Sequence, residues 1–172
     1  MSFAKALNFT LMDLEGGYVL TDRPGDAGGP TYAGITERLV VAAGYRWHPP
    51  FDPVEVANIY RSQFWDPCRC SELPEPSDAV LFQCAVNIGQ GAALKIDHEE
   101  VKIFQRAIGV TPDGDFGPKT LAAALSVARD TLPDLILEEQ DAYYRSLNNP
   151  RWLKGWLDRT EKVRRAIATG VL

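Results

Sequence analysis

The chain has 172 residues, 45% of them hydrophobic and 24% charged, enough to bury the core of one compact domain. Its net charge of −5 argues against a nucleic-acid ligand. No apolar run approaches the roughly 20 residues that span a bilayer.

Phe3, Leu7, Leu11 and Leu14 recur at spacings of three and four, which predicts an amphipathic helix over residues 3–15. That reading, with no charged leader or cleavage site, makes the stretch part of the fold and implies synthesis in the cytoplasm. Gly16 and Gly17 stop the helix. Tyr18–Leu20 and Thr31–Ile35 are short strand candidates flanking a Gly/Pro/Asp-rich loop over 21–30, which predicts one small hairpin. Thr36 is a plausible N-cap for a helix reaching Gly44. Asp52-Pro53-Val54-Glu55 is a capping box with proline at the first helical position, and Val56, Ile59, Tyr60 and Phe64 form its apolar stripe. Residues 77–88 leave little polar surface and predict a buried central helix closed by Gly89. Asp97 is the expected cap of a helix to residue 108, Gly117-Pro118 opens another, Pro133 a third, and residues 151–169 the last.

A carboxylate stands at the end of the first helix. Glu15 sits between a predicted helix and a predicted hairpin, which resembles the way several lysozyme-type enzymes build a cleft for sugar chains. Carbonyl dipoles at the helix end disfavour a negative charge there, as does desolvation by Leu14 and Tyr18. A glutamate before a glycine cap is also a common surface residue. A second polar group is needed to steady an oxocarbenium ion or to place water. Asp22 and Asp26 both lie in the following loop, where aspartates also serve as turn formers. Gly28 and Gly29 let a polymer approach the main chain or simply make a turn. Tyr18, Tyr32 and Trp65 are candidates for stacking on sugars or for the core. Asn87 is a polar residue in an apolar helix, available to substrate or to a buried backbone group.

Cys68, Cys70 and Cys84 are an odd count with no zinc spacing, so three free thiols and no metal are expected. Residues 151–172 carry six Lys and Arg against Asp158 and Glu161. Such a tail either faces an anionic polymer or is the solvated side of a helix.

The elements Glu-Gly-Gly-Tyr at 15–18, Asp-x-Gly-Gly-x-Thr at 26–31, Gly-Ile-Thr at 34–36 and Ala-Val-Asn-x-Gly at 85–89 occur in that order. Together they resemble glycoside hydrolase family 108, the phage and bacterial N-acetylmuramidases. Residues 104–125, FQRAIGVTPDGDFGPKTLAAAL, look like the signature of peptidoglycan-binding helical modules. Their glycines and apolar residues equally encode a turn-helix scaffold. The resemblance implies a mainly α, lysozyme-like fold with one small hairpin next to the active-site glutamate. It implies a catalytic region over 1–90 and a peptidoglycan-binding-like region over 91–172, packed into one compact domain. Glu15 falls on the family's proposed acid, and Asp26, unlike Asp22, falls on its Asp-x-Gly-Gly element. Thr31 resembles the residue that orients a water in other phage lysozymes. Tyr18, Gly28, Gly29, Tyr32 and Asn87 are the expected contacts to substrate. The expected activity is hydrolysis of the β-1,4 bond between N-acetylmuramic acid and N-acetylglucosamine by a monomeric, cofactor-free endolysin released through a holin. The expected partner is peptidoglycan polysaccharide. The rival readings are a lytic transglycosylase and a non-catalytic wall-binding or secretion-associated protein.

Overall fold

The computed structural model describes residues 2–22, 29–89, 91–94 and 97–172. Ser2 caps helix α1 (Phe3–Phe9), which does not continue as an α-helix to residue 15. Its last turn widens into a π-helical turn over Thr10–Leu14, closed by Glu15 N–H donating to the Thr10 carbonyl at 3.0 Å. The hydrophobic spacing is indifferent to this widening, so the periodicity held no sign of it. Gly16 and Gly17 follow with φ of 82° and 84°, and Gly17 N–H returns to the Leu11 carbonyl at 2.7 Å.

The expected hairpin is a three-stranded antiparallel sheet of β1 (Leu20–Thr21), β2 (Thr31–Tyr32) and β3 (Ile35–Thr36), in that order. Leu20 pairs with Tyr32, and Tyr32 with Ile35. The segment read as one strand over 31–35 is folded back on itself at Ala33-Gly34, where φ is 51° and 75°. A two-residue turn with both φ values positive usually announces itself by Asn-Gly or Gly-Gly. Here alanine takes the first position, held by Tyr60 Oη donating to its carbonyl at 2.8 Å.

Thr36 caps α2 (Glu37–Ala42) through its hydroxyl to Leu39 N–H, as its position predicts. Both halves of the Asp52–Glu55 capping box form at the start of α3 (Pro53–Tyr60). A second π-helical turn, Arg61–Trp65, extends α3. A short 3₁₀ turn, Cys70–Glu72, interrupts the loop that precedes α4 (Ser77–Ile88). The remaining helices are α5 (Glu99–Ala107), α6 (Pro118–Ser126), α7 (Leu132–Ser146) and α8 (Pro150–Ala168). Asp97 does not cap α5. His98 holds that position, and the Asp97 carboxylate takes Lys102 Nζ at 2.5 Å.

α4 is the central helix. Val80, Leu81 and Phe82 are fully buried on it, and so is Gln83. A single hydrophobic cluster joins residues of α1, α3 and α4 to Phe104, Ile136 and Val163, so the two halves of the chain share a core. The Asp-Gly-Asp turn at 113–115 is sewn to α5 by Gln105, whose amide donates to Asp113 Oδ1 at 2.6 Å and accepts from Gly114 N–H at 2.8 Å. Phe104 stacks on Phe116 at 5.1 Å. The residues of the module-like signature thus hold the 113–115 turn against α5.

All three cysteines are free and buried, and burial pushes each thiol well above its ordinary value. A thiolate-directed reagent is therefore expected to find no reactive group in the native protein and three after denaturation without reductant. A count of one after denaturation contradicts the free-thiol assignment.

Candidate active site

The π-helical turn ends at Glu15 and sets its side chain against the sheet. The contact is close. A Cβ on Gly34 would lie 2.9 Å from Glu15 Oε2 and 2.9 Å from Tyr60 Oη. The tip of the β2–β3 turn therefore rests on the carboxylate, and a side chain at 34 would displace the carboxyl or the turn. Tyr60 stands on the other side of the turn. Burial first, and the Glu15 carboxylate second, push its phenol well above the ordinary value. Tyr60 accordingly keeps its proton and serves as a donor to Ala33.

The remaining neighbour comes from the far end of the chain. Arg159 of α8 donates from Nη1 to Glu15 Oε1 at 2.8 Å. Its side chain is 10% exposed and that of Glu15 19%. The composition of the tail pointed to Arg159 only as one of six basic residues. The pattern held no signal that it turns inward while its neighbours do not. Lys154 pairs with Asp158, Arg164 with Asp141 and Arg165 with Glu161, so much of the tail's charge is matched within the protein.

The other sequence candidates divide. Tyr18 is exposed and lines a groove with Leu7, Leu11 and Met12. Thr31 is half-buried, its hydroxyl bonded to that of Thr21 at 2.5 Å across β1–β2. Gly29 has φ of 70°, with nothing within 4 Å of where a side chain would go. Tyr32 departs from its expected role. It is 7% exposed and packs on Phe51 at 5.7 Å, so its ring belongs to the core and offers no free face to a sugar. Trp65 is likewise buried, against Phe3 and Phe82. Asn87 is exposed at the end of α4, and its Oδ1 accepts from Tyr144 Oη at 2.5 Å. Asp26 and Gly28 lie outside the described residues. Asp22, the alternative carboxylate, directly follows β1 and is exposed.

A carboxyl at a helix end, on the tip of a small sheet and open on one side, can deliver a proton to a bound oxygen. Among the described residues no cluster of His, Cys, Asp and Glu could hold a metal ion, and no helix is long and apolar enough to cross a membrane.

Residues 9–89 match the family described as Glycosyl hydrolase 108, and residues 99–161 match a Predicted Peptidoglycan domain. Among solved structures, SagA of Brucella abortus is 31% identical, with a TM-score of 0.80 over 96% of this chain and 94% of its own. No curated protein matches the chain. Since the likeness to a solved structure runs through both halves, and the first half carries the family's match around Glu15, the chain belongs to glycosyl hydrolase family 108 and is a glycoside hydrolase of peptidoglycan.

Proposed function

We propose that this enzyme is an N-acetylmuramidase, cleaving the β-1,4 bond between N-acetylmuramic acid and N-acetylglucosamine with Glu15 as general acid. The observation that carries the reading is the placement of Glu15 against the Gly34 turn, held by Arg159 yet still reachable from solvent. Glu15 gives its proton to the glycosidic oxygen as the bond from that oxygen to the anomeric carbon breaks. Positive charge gathers on the sugar ring, and a carboxylate steadies it or directs the water that replaces the leaving sugar. Asp26 takes this part on the strength of its Asp-x-Gly-Gly motif, with Thr31 helping to orient water. Tyr18, Gly28, Gly29 and Asn87 line the path of the glycan. The enzyme acts as an endolysin that reaches the wall through a holin. The packing of α1 into the core supports reading residues 3–14 as part of the working fold.

Mass spectrometry of digested peptidoglycan tests the bond. Products ending in reducing N-acetylmuramic acid are expected. Ends of the 1,6-anhydro type reassign the enzyme as a lytic transglycosylase, and a blank zymogram leaves a binding protein. Asp26→Asn is expected to slow turnover less than Glu15→Gln does if it stabilises charge or orients water, and as much if it is an essential base or nucleophile.

A further inference from the structure

We infer that Arg159 is a positioning residue for the acid, fixed by a buried amide relay, so that the C-terminal half of the chain completes the catalytic machinery. The inference rests on Glu15 being the acid. Arg159 is not simply paired. Its Nε donates to Gln83 Oε1 at 3.2 Å and its Nη2 to the Gln83 carbonyl at 3.4 Å, which leaves Nη1 aimed at Glu15. Gln83 is fixed in turn, donating to Gln140 Oε1 at 2.8 Å and to the Val80 carbonyl at 3.1 Å. Gln140 donates to Tyr144 Oη at 2.7 Å, and Tyr144 donates to Asn87. Gln83 and Gln140 are fully buried. The relay crosses from α8 through α4 to α7 and contains no charge other than the guanidinium and the carboxylate it addresses.

A buried guanidinium is costly to desolvate, and an apolar residue packs as well where stability alone is at stake. The fork has a use in the reaction. When Glu15 releases its proton to the leaving oxygen, a carboxylate forms with Nη1 already in place. This interaction is stronger after proton release than before it, and so lowers the barrier. Lysine carries the charge but cannot hold three acceptors in one plane. Arg159 lies in the 99–161 match and Glu15 in the 9–89 match, so the region resembling a wall-binding module supplies part of the acid's setting.

The test uses the full chain with Glu15→Gln, Arg159→Gln and Arg159→Lys, each checked for folding by thermal melt. The readouts are kcat and KM on purified peptidoglycan fragments. With Arg159→Gln, kcat is expected to fall on the order of 10²-fold, as for a misplaced catalytic group, with KM little changed. With Arg159→Lys, kcat should also fall, because the ammonium keeps the charge but not the planar fork. A folded Arg159→Gln enzyme with wild-type kcat, or one whose loss lies in KM alone, overturns the inference. If Arg159→Gln does not fold, Arg159→Lys decides, and wild-type kcat there overturns it. Wild-type activity in Glu15→Gln overturns the acid assignment itself, a failure distinguishable from the others.

Discussion

Glu15→Gln is expected to reduce turnover by about 10²–10⁴-fold, the range for a lost proton transfer. Glutamine keeps the size of the side chain and an oxygen for Arg159 Nη1, but it has no proton to give. On an isolated helix end the change would be harmless, since it removes a charge from the negative end of the dipole. Here it also leaves the guanidinium of Arg159, whose side chain is 10% exposed, without an anion. Removing one partner of a fully buried ion pair costs about 3–5 kcal/mol. Because Glu15 is partly open to water and the oxygen is retained, about 1–3 kcal/mol is expected, read as a lower melting temperature of a folded protein. A folded variant that lyses walls at the wild-type rate returns the search to Asp22 and Asp26.

Gly34→Ala is expected to damage both stability and rate. At φ of 75° an L-residue bears about 1–2 kcal/mol of backbone strain. Its Cβ would meet Glu15 Oε2 and Tyr60 Oη at 2.9 Å, so the carboxyl must move or the turn must lift. A shift of this kind costs on the order of 10²-fold in rate. Gly44→Ala isolates the strain, because Gly44 has φ of 83° and nothing within 4 Å of the added atom. It should lose similar stability and keep its activity. Full activity in Gly34→Ala would show that the turn does not rest on the carboxyl during catalysis.

The helices were legible in the sequence because their signals are local. The caps at Thr36 and Asp52 each lie within three residues of the groups they satisfy. Glu15 was legible as the last residue before a pair of glycines. What surrounds it was not. The π-helical turn leaves no mark on apolar spacing, and the Ala33-Gly34 reversal relies on Tyr60, 27 residues away, in place of a characteristic turn residue. Tyr32 looked like a sugar platform because aromatic residues beside a loop serve either surface or core, and only the packing of Phe51 decides between them. Arg159 was hidden for a different reason. A buried cation and an exposed one read alike along a basic helix, and its partner lies 144 residues earlier.

That separation also orders events in time. The contact between Glu15 and Arg159 spans 144 residues, so it can form only after α8 has been made. During synthesis the segment bearing the carboxyl can collapse early, yet its guanidinium is still unmade or inside the ribosome until α8 emerges. Chains that stop before residue 159 carry the acid without its partner. A site built in this order is finished only once α8 has emerged and packed.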